Sequence, residues 1–197
     1  MTTTSWRGVF PAATTQFAED HSVDLEATTA VVRALVDDGV HGLIAMGTVG
    51  ENNSLTADEK RAVLAAIVDA VDGRVPVLTG VSELTTALAP AYRVSISLDT
   101  LERLSDVPTL VAIKESAPDP RRITDIINRC GDRYLVFAGL DDVALEEILL
   151  GAVGWVSGLT NAFPAESIAL WDAVERGDLE TARSIYRWFM PLLHLVG

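Results

Sequence analysis

A chain of 197 residues is long enough to bury one real core, so a single domain is the default expectation. Its formal charge of −13 argues against nucleic acid or an anionic membrane as partner, because either demands clustered Lys and Arg. A lone cysteine, Cys130, excludes an intramolecular disulfide framework and fits a reducing cytoplasm. Hydrophobic residues make up 49% and charged residues 22%, the balance of a soluble globular protein. Met1–Arg7 is polar and lacks the apolar region of a signal peptide. No run approaches the roughly 18 apolar residues that a membrane span needs.

Short apolar runs alternate with amphipathic helices along the chain. Gly8 to Phe10, leading into Ala12-Ala13-Thr14, reads as a first strand. Asp24 caps a helix with Leu25, Thr28, Val32, Leu35 and Val36 on one face, and Gly39 stops it. Gly42 to Met46 is a second strand. Thr56 with Glu59 forms a capping box for a helix to about Val71. Val75 to Val81 is a third strand, its proline near the start, where it is tolerated.

Ser97 caps a short helix through Leu104, and Leu110 to Lys114 is a strand. Asp119-Pro120 supplies an N-cap and a first-turn proline for a helix ending at Cys130, which reads as a small buried hydrophobe. Tyr134 to Ala138 is a strand, Val143 to Leu150 a helix and Gly154 to Ser157 a strand. A helix runs from Pro164 to about Arg176. After Gly177-Asp178 the last helix starts at Leu179, with Ala182, Ile185, Tyr186, Phe189 and Leu193 on one face and a kink expected at Pro191.

Strands alternating with helices imply βα units around a parallel sheet. Six strands are counted, where a closed (β/α)8 barrel has eight. A doubly wound sheet uses six, but Pro11-Ala12-Ala13-Thr14 stands where its glycine fingerprint belongs, so no dinucleotide site is indicated. The rhythm breaks between Glu83 and Ser97. Thr85 to Ala89 starts like a helix, Pro90 stops it, and no strand of comparable strength follows at Tyr92-Arg93-Val94. The chain stops at Val196-Gly197 with apolar surface unmatched. Both places read as cuts in something larger.

In βα folds the strand C-termini carry the chemistry. Lys114 ends the apolar run Leu110-Val111-Ala112-Ile113 and is the most informative residue of the chain. In a partly apolar mouth its ammonium form loses solvation, its pKa falls and the amine becomes nucleophilic toward carbonyls. The alternative is a strand-end lysine that reaches out to solvent. Gly47-Thr48-Val49-Gly50-Glu51-Asn52 follows the second strand. It offers a hydroxyl and backbone N–H groups for a carboxylate, or is a plain glycine-rich turn; no Gly-Lys-Ser/Thr makes it a phosphate loop. Gly139-Leu140-Asp141-Asp142 offers a metal site with Glu146, or helix N-capping by Asp142, and capping is the better fit. His21, His41 and His194 share no ligand spacing, so no zinc site is assigned. Ser82 and Ser157 lack a nucleophile-elbow context.

Four motifs together carry a resemblance. Gly47-Thr48-Val49-Gly50-Glu51 with Ser54-Leu55-Thr56 and Glu59-Lys60, then Val111 to Ser116, then Phe137 to Asp142, then Gly154 to Asn161, resemble the signatures of the dihydrodipicolinate synthase/N-acetylneuraminate lyase family in the right order. The resemblance implies a (β/α)8 TIM barrel, here incomplete with about six βα units and part of a C-terminal helical region. It implies a lyase, aldolase or dehydratase that holds a small 2-oxo acid such as pyruvate as a Schiff base, needs no cofactor or metal, and forms homo-oligomers, often tetramers. Lys114 is then the imine-forming nucleophile. The Thr48-Val49 segment holds the substrate carboxylate, with one hydroxyl fewer where relatives often carry a second threonine at the position of Val49. Gly139 and Val156 line the site through backbone.

The departures from the pattern are as informative. The family's Tyr-Asn-x-Pro-type motif, whose tyrosine relays a proton during imine formation, is absent. Pro90-Ala91-Tyr92 matches its tail, so Tyr92 lies past the relay position. The arginine of the synthases proper falls at Ala91, and Arg93 does not clearly replace it. Two strands and two helices, roughly fifty to sixty residues by the family pattern, are therefore expected to be missing near residues 89–90. The expected organisation is an incomplete barrel over 1–176 and the start of a truncated helical region over 177–197. Such a remnant leaves two sheet edges exposed. The competing reading is a catalytically impaired family member without turnover.

Overall fold

The computed structural model describes residues 6–79 and 96–195. Val81 to Val94, with Ser82, Pro90, Ala91, Tyr92 and Arg93, and the terminal Val196-Gly197 lie outside the described residues. The chain divides into two compact units, one of residues 1–8, 90–156 and 169–197, the other of residues 9–89 and 157–168.

In the second of these, β1 (Gly8–Pro11, its first residue aside), β2 (Leu43–Ala45) and β3 (Val77–Thr79) lie parallel. β2 pairs with β3 in the register Leu43↔Val77 to Ala45↔Thr79, and Ala12 bridges Ile44. The helices α1 (Leu25–Asp37) and α2 (Ala57–Val71) form where their caps dictate. The Asp24 carboxylate accepts the Ala27 N–H at 2.8 Å, and Thr56 and Glu59 close the expected capping box. Thr28, Val32, Leu35 and Val36 of α1 and Val63, Ile67, Ala70 and Val71 of α2 are buried, with Leu43, Ala45 and Met46 of the β2 region in the same core. Leu25 is the exception to the expected α1 face: as the first helical residue it is exposed. Gly42 permits a close approach, since a Cβ there would lie 2.1 Å from the Phe10 ring.

In the other unit, β4 (Ala112–Glu115), β5 (Leu135–Ala138) and β6 (Gly154–Ser157) form a parallel run in the order β4-β5-β6. They are joined by α4 (Arg121–Cys130) and by a 3-10 turn (Asp141–Val143) leading into α5 (Ala144–Leu149). α3 (Leu98–Leu104) precedes β4, capped by Ser97 as expected. α6 spans Pro164–Glu175, and α7 (Leu179–Leu193) starts at an Asp178 cap. α7 buries Ala182, Tyr186, Phe189 and Leu193, with Ile185 half-buried, and continues through Pro191 to its end.

Three local expectations are corrected. Glu115, not Lys114, ends β4. Pro120 holds the N-cap position of α4, although the Asp119 carboxylate still accepts the Arg121 N–H at 3.1 Å. Cys130 is half-buried at the end of α4 rather than buried. Among the described residues six strands are present, and no helix is long and apolar enough to cross a membrane.

Ile67 is 2% exposed in the α1/α2 core. Ile67→Ala removes buried methylenes and leaves a cavity, so urea unfolding should show a loss of about 2–5 kcal/mol.

Candidate active site

Lys114 sits third in β4, opposite Phe137, while Glu115 pairs with Ala138. Side chains alternate along a strand and register partners share a face, so Lys114 and Phe137 lie on one face and Glu115 on the other. Phe137 pairs in turn with Gly154, where a Cβ would come within 2.3 Å of the phenyl ring. Glycine at 154 is what lets that ring lie on the Lys114 face. Two residues along β6, Val156 returns to the same face and is buried. Lys114, Gly139 and Val156 are therefore brought to adjacent strand ends.

The Lys114 side chain keeps contact with solvent. Its pKa is nevertheless lowered from the ordinary 10.5, because burial desolvates the ammonium form; the negative charge of Asp141 opposes part of that effect. Asp141 is held by the Trp155 indole, whose Nε1–H donates to its Oδ1 at 2.9 Å.

The turn after Lys114 is clamped by Glu115. Its Oε1 accepts the N–H groups of Ser116 at 2.9 Å and Ala117 at 2.8 Å, and its Oε2 accepts Nε–H of Arg122 at 2.6 Å. Both members of that ion pair are largely buried. Arg122 also donates to the carbonyl of Ile96. Gly139 packs directly onto this turn: a Cβ there would lie 2.2 Å from the Glu115 carbonyl and 2.3 Å from Ser116 Oγ. Only a glycine fits.

Thr48 and Val49 belong to the other unit, on the turn after β2, and both are exposed. Within that unit the turn is fixed from below. Thr15 Oγ1 donates to the Gly50 carbonyl at 2.7 Å, and Gly50 is packed so that a Cβ would meet the Ala13 carbonyl at 2.9 Å. The Glu51 N–H donates to the Thr48 carbonyl at 3.0 Å, with Glu51 at φ 55. The result is a turn held by backbone and side-chain hydrogen bonds on which Thr48 and Val49 are exposed.

Other candidates resolve simply. Asp142 does not cap: neither the 3-10 turn nor α5 has a side-chain cap bond. Among the described residues no group of three His, Cys, Asp or Glu could hold a metal. Ser157 is fully buried and its Oγ accepts the Thr160 N–H at 2.9 Å, a structural role. Sequence reasoning quoted Glu115 and Trp155 within motifs without giving them a role, weighed Asp141 only as part of a metal site, and missed Arg122 altogether. No spacing rule pairs positions 115 and 122 across a strand and a helix.

The chain matches the model of the dihydrodipicolinate synthetase family in two stretches, residues 5–93 and 90–196. A 4-hydroxy-tetrahydrodipicolinate synthase of Alcanivorax borkumensis is 30% identical over 237 aligned residues, covering 94% of this chain and 81% of the relative. A synthase of the same name from Sorangium cellulosum is 30% identical, covering 96% and 80%. The crystal structure of dihydrodipicolinate synthase from Aquifex aeolicus superposes with a TM-score of 0.86 at 27% identity, covering 96% of this chain and 82% of that one. Since 94% of 197 residues is about 185, roughly fifty of the 237 aligned positions have no counterpart here. The two stretches of the family match meet at 90–93, where the sequence rhythm breaks.

Arg122→Ala would strand the Glu115 carboxylate in a largely buried position. A loss of about 3 kcal/mol in urea unfolding is expected, with Arg122→Lys recovering only part of it.

Proposed function

The chain belongs to the dihydrodipicolinate synthetase family, and from that membership we propose that it is a lyase acting on a small 2-oxo acid through a Schiff base on Lys114. The observation that carries the reading is a lysine with a lowered pKa at the end of a barrel-family strand, its following turn locked by Glu115. The coarse class, an enzyme of this lyase family, rests on the relatives themselves.

The chemistry follows from the amine. A lowered pKa raises the fraction of neutral Lys114 at neutral pH, and the neutral amine attacks the 2-oxo carbon. Loss of water leaves a protonated imine. That cation accepts the electron pair released when a neighbouring C–C or C–H bond breaks, which is the common step of aldol cleavage, condensation and dehydration. The negative charge of Asp141, steadied by Trp155, favours the cationic imine over the neutral amine. Gly139 and Val156 line the position by backbone. The resemblance assigns the substrate carboxylate to Thr48 and the N–H groups of the Thr48-Val49 turn, both residues of which are exposed.

A second reading, imine formation without turnover, is favoured by one observation: the sequence has no Tyr-Asn-x-Pro-type motif, and about fifty aligned positions are absent. Nucleophilicity and proton relay are separable contributions, so the two readings part at the product rather than at the imine.

The chain has two lysines, Lys60 and Lys114, which makes the test clean. Borohydride reduction in the presence of pyruvate, followed by peptide mass spectrometry, should place a reduced adduct on Lys114 and not on Lys60. Lys114→Arg should abolish it. An adduct on both lysines, or on neither, contradicts the proposal. Thr48→Val should weaken pyruvate capture about tenfold or more, the worth of one hydrogen bond to a charged group, without changing which lysine is labelled.

A further inference from the structure

Glu147 lies on α5 within the apolar run Ala144, Leu145 and Ile148, and its side chain is fully buried. Its Oε2 accepts the Gly139 N–H at 3.2 Å, whereas its Oε1 is buried with no hydrogen-bond partner. A carboxylate in that position has no cation to itself. From β4 it faces Glu115, whose Oε2 already holds Arg122 of α4. From the 3-10 turn it faces Asp142, and from its own helix Glu146, which accepts the hydroxyl of Tyr186 on α7 at 3.0 Å. Among the described residues, the charges that act on Glu147 are those of Glu115, Asp142 and Glu146, all negative.

We infer that Glu147 is a positioning residue for the Lys114 strand end: through the Gly139 N–H its buried carboxyl seats the end of β5 against the Glu115 carbonyl that follows Lys114. The transmission is short. Gly139 and Glu115 touch backbone to backbone, with no room for even a Cβ between them, so a displaced Gly139 displaces Glu115 and the clamp it makes. Glu147 reaches no reacting atom and acts only through this contact. Its value to catalysis rests on the function proposed above, whereas its hold on the strand end does not.

Burial, and then the charges of Glu115, Asp142 and Glu146, raise the carboxyl pKa of Glu147 from 4.5 to about 7 against the opposing pull of the Gly139 N–H. The folded pKa is thus above the unfolded one. The neutral carboxyl stabilises the fold fully below about pH 4.5, and that contribution is lost as pH rises through about 7. Ionisation of Glu147 therefore costs folding stability, set by burial and the neighbouring carboxylates, although the Gly139 N–H itself favours the charged form.

The experiment compares the full chain with Glu147→Gln, which keeps the shape and an acceptor for Gly139 but does not titrate. Thermal melting from pH 5 to pH 8 should show the variant gaining several degrees on the wild type as pH rises. Acetylation by acetic anhydride, read by peptide mass spectrometry as the ratio of Lys114 to Lys60 labelling, should change through about pH 7 in the wild type and follow a different course in the variant. Labelling ratios that coincide at every pH, or a melting difference independent of pH, would overturn the inference. Should the variant not fold, carbon-13 carboxyl titration of the wild type decides: one Glu titrating near 7 supports the inference, and none doing so removes it. Acetylation needs no 2-oxo acid, so a missing pyruvate adduct defeats the proposed function while these readouts still decide the role of Glu147.

Discussion

The backbone contact between Gly139 and Glu115 is the constraint on which the Lys114 region depends. Two strand ends approach so closely that the space for a Cβ is filled by a carbonyl oxygen and a hydroxyl. That approach places the end of β5 directly behind the residue that follows Lys114. The carboxylate of Glu115 then ties the next two N–H groups and Arg122 into one clamp. A lysine on a loose turn would swing into water and regain its ordinary pKa. On a fixed turn it stays where desolvation disfavours the ammonium form.

The second requirement is control of charge around that lysine. Asp141 raises what burial lowers, and the Trp155 indole fixes where the Asp141 charge sits. Glu115 is paired with Arg122, and burial pushes the Glu147 carboxyl up to about 7, which favours its neutral form. Environments that push neighbouring carboxyl groups toward different protonation states are a recurring feature of reactive sites.

Much of this was legible in the sequence. The capping residues Asp24, Thr56 with Glu59, Ser97 and Asp178 start the helices expected of them, because a cap is a local hydrogen bond between residues two or three apart. Parallel strands read as apolar runs, and all six appear, with β2, β4 and β5 a residue or two shorter than the apolar run that announced them. The misses share a cause. Asp142 has the right residue type for a cap but stands inside a 3-10 turn, and Asp119 lies one residue ahead of the N-cap. Arg122 with Glu115, Trp155 with Asp141 and Glu147 with Gly139 are contacts between elements, which no local rule encodes. Glu147 did leave one trace, a carboxylate inside an apolar helical stripe. The family resemblance supplied what composition could not, the assignment of Lys114 and the location of the gap near residues 89–93.

The central claim is that the fold makes Lys114 an unusually nucleophilic amine, and its own titration tests that most directly. The rate of Lys114 acetylation should be followed from pH 6 to pH 11 by peptide mass spectrometry on the intact chain. The account predicts a midpoint below the ordinary lysine value of 10.5. A midpoint at or above that value would mean that the strand end leaves Lys114 an ordinary surface lysine, and the account would fail at its first step.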